Sequence, residues 1–162
     1  MDSRCAESTS VSLFDHGYIT SPNYPDKYFM DAECRWVIVV QSGQRIRITL
    51  FDFELDVKRG GRCFDFLEVS VAGRVYFRDC GALGKQVIDI EWEDGEEGED
   101  GELEDGEVGA TEASVVFKTG QTSLTQRGFL LYFEGQYLER PCFIIVHGSQ
   151  ALAIEEDLKS LQ

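Results

Sequence analysis

Polar and apolar residues alternate along Arg45-Ile46-Arg47-Ile48-Thr49-Leu50, the pattern of a half-buried antiparallel strand. Phe51, Phe53 and Leu55 carry that beat onward. Ahead of it, Cys34-Arg35-Trp36-Val37-Ile38-Val39-Val40 is rich in β-branched residues and predicts a second strand, joined through a turn at Gln41-Ser42-Gly43-Gln44. Leu13–Phe14 and Tyr18–Ile19 flank Asp15-His16-Gly17, a turn by composition. Two prolines in Ser21-Pro22-Asn23-Tyr24-Pro25 forbid helix and central strand, so an extended loop follows. Further on, Phe64, Phe66, Val69 and Val71 predict a strand running through Asp65 and Glu68. Ala72-Gly73-Arg74 then turns the chain into Val75-Tyr76-Phe77-Arg78. Residues 81–84 read as a loop, and 86–90, 113–118 and 129–133 as strands. Many short strands with turns between them predict an all-β sandwich. Only the tail departs from this, because Leu152, Ile154, Leu158 and Leu161 fall near helical spacing. They predict a short amphipathic helix that would be marginal alone.

The 162 residues suit one domain with a tail, and the 43% hydrophobic content supplies a core. The net charge of −15 excludes nucleic-acid binding through a global basic face and disfavours anionic membranes. No stretch has the length and apolar character for direct membrane insertion. Most of the charge excess belongs to one segment: residues 89–112 hold 13 acids and no Lys or Arg. Its glycine-punctuated acids repel one another and resist ordering, so residues 91–112 are expected to be a disordered insertion in an otherwise ordinary domain. The alternative role for it is a loose calcium or polycation tether.

Five cysteines, Cys5, Cys34, Cys63, Cys80 and Cys142, are spread along the chain without a Cys-x-x-Cys pair. That removes zinc-ribbon and thioredoxin readings. A disulfide framework in an oxidising compartment is one reading, and five buried thiols the other. Met-Asp-Ser-Arg-Cys at the start has no apolar region of signal-peptide type, which weighs only weakly against secretion.

Several motifs occur in a telling order: Cys5; Gly17-Tyr18-Ile19-Thr20-Ser21-Pro22-Asn23-Tyr24-Pro25; Tyr28; Cys34-Arg35-Trp36; Phe51-Asp52-Phe53-Glu54-Leu55-Asp56; Cys63-Phe64-Asp65-Phe66-Leu67-Glu68-Val69; Cys80-Gly81; and Arg127-Gly128-Phe129. Together they resemble the CUB domain, the extracellular module of complement and tolloid-type proteases, spermadhesins and neuropilin-like receptors. The resemblance covers residues 5–138 and implies an antiparallel, jelly-roll-like β-sandwich, leaving 139–162 as a C-terminal extension. It also implies the bridges Cys5–Cys34 and Cys63–Cys80, a choice that four cysteines alone leave open among three pairings. Trp36 is expected in the core, and Cys142 lies outside the pattern.

Many CUB domains hold one calcium ion between loops, and calcium requires several hard oxygen ligands. The resemblance assigns Asp56 and Asp65 as acid ligands, with Tyr28 supporting them. At the third acid position this chain has Gly120, which removes a ligand and a charge. Ca2+ is therefore the one cofactor to consider, at a site short of a carboxylate.

No Gly-x-Ser-x-Gly elbow is present, and neither His16 nor His147 lies in a nucleophile context. No catalytic residue is assigned, and the chain is read as not an enzyme. The expected function is noncatalytic recognition of an extracellular protein or glycan, as part of a larger secreted or membrane-anchored protein. The alternatives are a stand-alone secreted binding protein of spermadhesin type and a calcium-dependent ligand-binding module. Arg45, Arg47, Lys58, Arg59 and Arg62 are candidates for a small basic glycan surface.

Overall fold

A computed structural model describes residue 5 and residues 11–91, 111–122 and 124–137. Ten strands follow in chain order: β1 (Val11–Phe14), β2 (His16–Thr20), β3 (Glu33–Val40), β4 (Gln44–Glu54), β5 (Phe66–Val71), β6 (Arg74–Asp79), β7 (Ala82–Leu83), β8 (Gln86–Ile90), β9 (Thr111–Lys118) and β10 (Gly128–Tyr137). They form two sheets. One has the order β1-β3-β9-β5-β6, and the other β2-β10-β4-β7, with β8 also paired to β4. Every pairing is antiparallel except β1 with β3. The described part is thus the all-β sandwich that the alternation predicts.

The core lies between the sheets, as strand alternation requires. Ile38, Val40, Leu67, Val69, Ala113, Val115 and Phe117 come from the first sheet. Ile19, Ile46, Ile48, Leu50, Phe53, Phe129, Leu131 and Phe133 come from the second. Trp36 is half-buried against this core, edge-on to Phe129 with ring centroids 6.1 Å apart. Cys5–Cys34 and Cys63–Cys80 are bonded, with Cα–Cα distances of 5.2 and 5.8 Å.

Four local expectations need correction. Asp15-His16-Gly17, expected as a turn, is not one: His16 and Gly17 already belong to β2. Asp15 alone, at φ 64°, separates β1 from β2, and the two strands enter different sheets. Phe51 does not continue the inward beat. A register shift between Leu130 and Leu131 pairs Asp52 with Leu130 and Leu50 with Leu131, leaving Phe51 as an extra, exposed residue. Phe64 is exposed ahead of β5, and Phe66 lies under the Arg78 guanidinium instead of in the core. Within 81–84, Ala82 and Leu83 pair with Glu54 and Phe53 as a two-residue strand.

The predicted insertion 91–112 also overruns its far boundary. Thr111 and Glu112 belong to β9, opposite Val40 and Val39, and Thr111 is buried. The remainder, 92–110, lies outside the described residues, as do Cys142 and the predicted helical tail.

Candidate functional site

Two regions are candidates for a functional site: the loop end beside β4, β5 and β9, and the outer face of the second sheet. At the loop end, the segment leaving β4 delivers Asp56, the approach to β5 delivers Asp65, and the loop between β2 and β3 delivers Tyr28. All three are buried. The Tyr28 hydroxyl joins the two acid-bearing segments. It donates to Asp65 Oδ2 at 2.6 Å and accepts from the Asp56 N–H at 3.0 Å. Burial, reinforced by the bond to the Asp65 carboxylate, pushes the phenol pKa well above its ordinary value.

Gly120, at the third acid position, contributes its backbone: its N–H donates to Asp65 Oδ1 at 2.7 Å. Thr119 ties the same segment to the Tyr28 loop, its Oγ1 accepting from the Ala32 N–H at 2.8 Å. Asp56 is equally engaged. Its Oδ1 accepts from the Val57 N–H at 2.9 Å, and its Oδ2 accepts from the Leu124 N–H at 3.1 Å. The same Oδ2 also receives the Arg59 guanidinium as an ion pair and hydrogen bond.

Local sequence puts Arg59 there. Arg59 and Arg62 exchange both backbone hydrogen bonds, at 3.0 and 3.1 Å, across Gly60 and Gly61. Those glycines stand at φ 58° and 76°, as a tight two-residue hairpin turn requires. Arg59 Nη2 also donates to the Thr122 carbonyl at 3.3 Å. The sequence motifs point to Tyr28, Asp56, Asp65 and Gly120, whereas Arg59 enters only as a candidate for a basic glycan surface. The missed signal is its position three residues beyond a buried acid, beside a Gly-Gly turn.

A calcium ion needs six to eight oxygen ligands with lone pairs directed at it. Here both oxygens of Asp56 and both of Asp65 accept hydrogen bonds from the protein. Gly120 supplies a donor in place of a carboxylate, and a guanidinium already contacts Asp56 and Thr122. The residues brought together are therefore those expected, but as they stand they do not fit a calcium ion. Among the described residues, the ligating atoms that do cluster belong to Cys63, Asp79 and Cys80, and the two sulfurs there are bonded to each other.

Of the five basic residues expected at a glycan surface, four are engaged with acidic side chains. Arg45 reaches Glu91 and Gln136, Arg47 forms a two-pronged bond to Asp89 at 2.6 and 3.0 Å, Lys58 pairs with Asp79, and Arg59 with Asp56. Arg47 holds the Asp89 carboxyl below the usual carboxylate range. Beside β10, Arg127 clamps Asp52 through two bonds of 2.7 Å and also pairs with Glu54. That bonding lowers the Asp52 pKa, while the Tyr24 hydroxyl donates to the same carboxylate at 2.9 Å.

Across the outer face of the second sheet, cross-strand register builds a row missed at the level of sequence. Tyr18 of β2 lies opposite Tyr132 of β10, Tyr132 opposite Thr49 of β4, and Thr49 opposite Val87 of β8. The two tyrosine rings sit 4.9 Å apart at 51°. Tyr18 is 66% and Val87 53% exposed. The neighbouring row reads His16, Glu134, Arg47, Asp89. An aromatic and aliphatic row, exposed at Tyr18 and Val87 and half-buried at Tyr132 and Thr49, thus borders a row dominated by charged residues.

Comparison with known proteins places this geometry in context. A family model described as the CUB domain matches residues 7–91. Cubilin from Rattus norvegicus is 35% identical over 71 residues, covering 41% of this chain and 2% of cubilin. Tolloid-like protein 1 from Homo sapiens is 44% identical over 54 residues, covering 33% of this chain and 5% of that protein. The matched segment is thus a small fraction of these relatives. Among solved structures, the human MASP-1/3 CUB1-EGF-CUB2 fragment superposes with a TM-score of 0.60 at 22% identity, over 76% of this chain and 42% of that one. The MASP-1 CUB2 domain bound to Ca2+ superposes with a TM-score of 0.58 at 20% identity, over 78% and 99%. Both structural matches bear on the fold.

Proposed function

This chain belongs to the CUB domain family, and from that premise we propose that residues 5–138 form a noncatalytic recognition module of a larger secreted or membrane-anchored protein. Its ligand is an extracellular protein, taken on the outer face of the second sheet. The observation that carries this reading is the row of exposed Tyr18, half-buried Tyr132 and exposed Val87 across three strands. Protein interfaces concentrate binding energy in a few aromatic anchors inside a polar rim. The bordering Glu134, Arg47 and Asp89 suit such a rim, since Arg47 and Asp89 already satisfy each other. An acidic glycan is the less favoured partner, because Arg45, Arg47, Lys58 and Arg59 are engaged with acidic side chains. Two disulfides are consistent with an extracellular location.

The test is binding of the labelled, oxidised chain to cultured cells, before and after surface proteolysis or deglycosylation. Binding should be saturable and protease-sensitive. Tyr18→Ser with Val87→Ser should weaken it at least about tenfold, since both are candidate anchors, and leave the melting temperature unchanged. Binding that ignores the double substitution overturns the assignment of this face. Binding that resists protease but is lost on deglycosylation makes the ligand a glycan.

A further inference from the structure

We propose that Arg59 is the resident cation of the loop end, and that by pairing with Asp56, which Tyr28 links to Asp65, it keeps the two acids in a calcium-independent arrangement. The inference concerns a different part of the molecule from the sheet-face reading and does not rest on it. Two buried carboxylates near one another need a compensating positive charge, because an unpaired ion in a low-dielectric interior is costly. Arg59 meets that need through one nitrogen. Its Nη2 is held by a carboxylate oxygen of Asp56 and by the Thr122 carbonyl, the oxygen types that bind a hard divalent cation.

The remaining demand is met by neutral donors. Tyr28 O–H and Gly120 N–H supply Asp65, and Val57 and Leu124 N–H supply Asp56. The Gly60–Gly61 turn fixes the arginine backbone, so the charge is delivered by the same loop that carries the acid. One set of changes thus has one physical result. A carboxylate is missing at position 120 and a guanidinium is present at 59, so one of the two carboxylates is paired with a cation and the other is held by neutral donors, without a metal. Two further consequences follow. Removing Arg59 should expose the need for a cation. Restoring a carboxylate at 120 in the same molecule should let calcium meet it.

The experiment is thermal unfolding of the full oxidised chain in millimolar calcium chloride and in EDTA. The variants are Arg59→Lys, Arg59→Gln, Asp65→Asn and Arg59→Gln with Gly120→Asp. The parent chain should melt at the same temperature in both buffers. Arg59→Gln should melt about 5 °C lower in EDTA, and Arg59→Lys, which keeps the charge but not the planar fork, should fall between. The double variant should regain about 5 °C or more on adding calcium, because a ligand of the folded state alone raises its stability. A calcium gain shared equally by the parent and Asp65→Asn arises at carboxylates elsewhere and agrees with the proposal. A gain in the parent that Asp65→Asn abolishes overturns it, since calcium then binds with Arg59 in place. Equal melting of Arg59→Gln and the parent in EDTA also overturns it, as does a folded double variant indifferent to calcium. If the double variant does not fold, the parent and the two single Arg59 variants still decide the matter.

Discussion

Tyr28 does the work of a crosslink without a covalent bond. Its hydroxyl serves the Asp65 carboxylate and the Asp56 backbone at once, and its ring packs edge-on against Phe117 with centroids 5.3 Å apart. Tyr28→Phe keeps the ring and removes only the oxygen. It leaves a buried N–H without its acceptor and takes a charge-assisted donor from Asp65, so the expected loss is about 3 kcal/mol. Urea unfolding of the two proteins measures it, and a loss below about 1 kcal/mol would mean that water or a rearranged loop replaces the hydroxyl. At this scale the motifs were informative where a residue's role depends on its type and order in the chain, as for Tyr28, Asp56, Asp65 and the cysteines. They were silent where the role depends on a partner brought close by folding. Arg59 looked like any loop cation until the hairpin at Gly60–Gly61 turned it onto Asp56, and Arg127 gave no sign of reaching Asp52 across the sheet.

Strand positions were readable from alternation, but phase changes were not. Ile46, Ile48 and Leu50 keep one parity and Phe53 and Leu55 the other, so the sequence does contain the bulge. Phe51, being apolar, disguises the point at which the parity switches. Instead of entering the core it stays exposed, with the Lys85 ammonium 5.2 Å from its ring centroid. The separation of β1 from β2 was hidden for a related reason: a single left-handed residue, Asp15, does what composition assigned to a three-residue turn. The start of β10 shows how tightly such junctions are built. Gly128 stands at φ 90°, and a Cβ there would lie 1.7 Å from Ser21 Oγ. That oxygen accepts from the Phe129 N–H at 3.0 Å, which helps fasten β10 beside β2. Gly128→Ala combines a disfavoured backbone with overpacking and should cost about 3 kcal/mol. In a Ser21→Gly background the steric part disappears, so the same substitution should cost measurably less. An unchanged cost in both backgrounds would assign the whole effect to backbone strain.

For the molecule as a whole, the headline charge of −15 says little about the sandwich, because the acids concentrate in residues largely outside its described strands. The sandwich is held by its two-sheet core and by covalent links that only an oxidising environment preserves. Cys5–Cys34 closes a separation of 29 residues and Cys63–Cys80 one of 17. On the chain-entropy model each such bridge stabilises by about 3 kcal/mol. Domain stabilities are typically about 5–15 kcal/mol, so the pair represents a large share. Cys34 and Cys80 are buried in the core, and as thiols they still fill their space, so reduction removes the constraint without opening a cavity. Nonreduced peptide mapping should return these two pairs. Urea unfolding of the oxidised and the reduced chain should then differ by about 6 kcal/mol if the contributions add. A reduced chain of unchanged stability would mean that the core suffices alone, and it would remove the physical link between this fold and an oxidising compartment. A reduced chain close to unfolding would make that link obligatory: in a glutathione-buffered compartment the sandwich could not persist, and recognition through its sheet face would be confined to extracellular conditions.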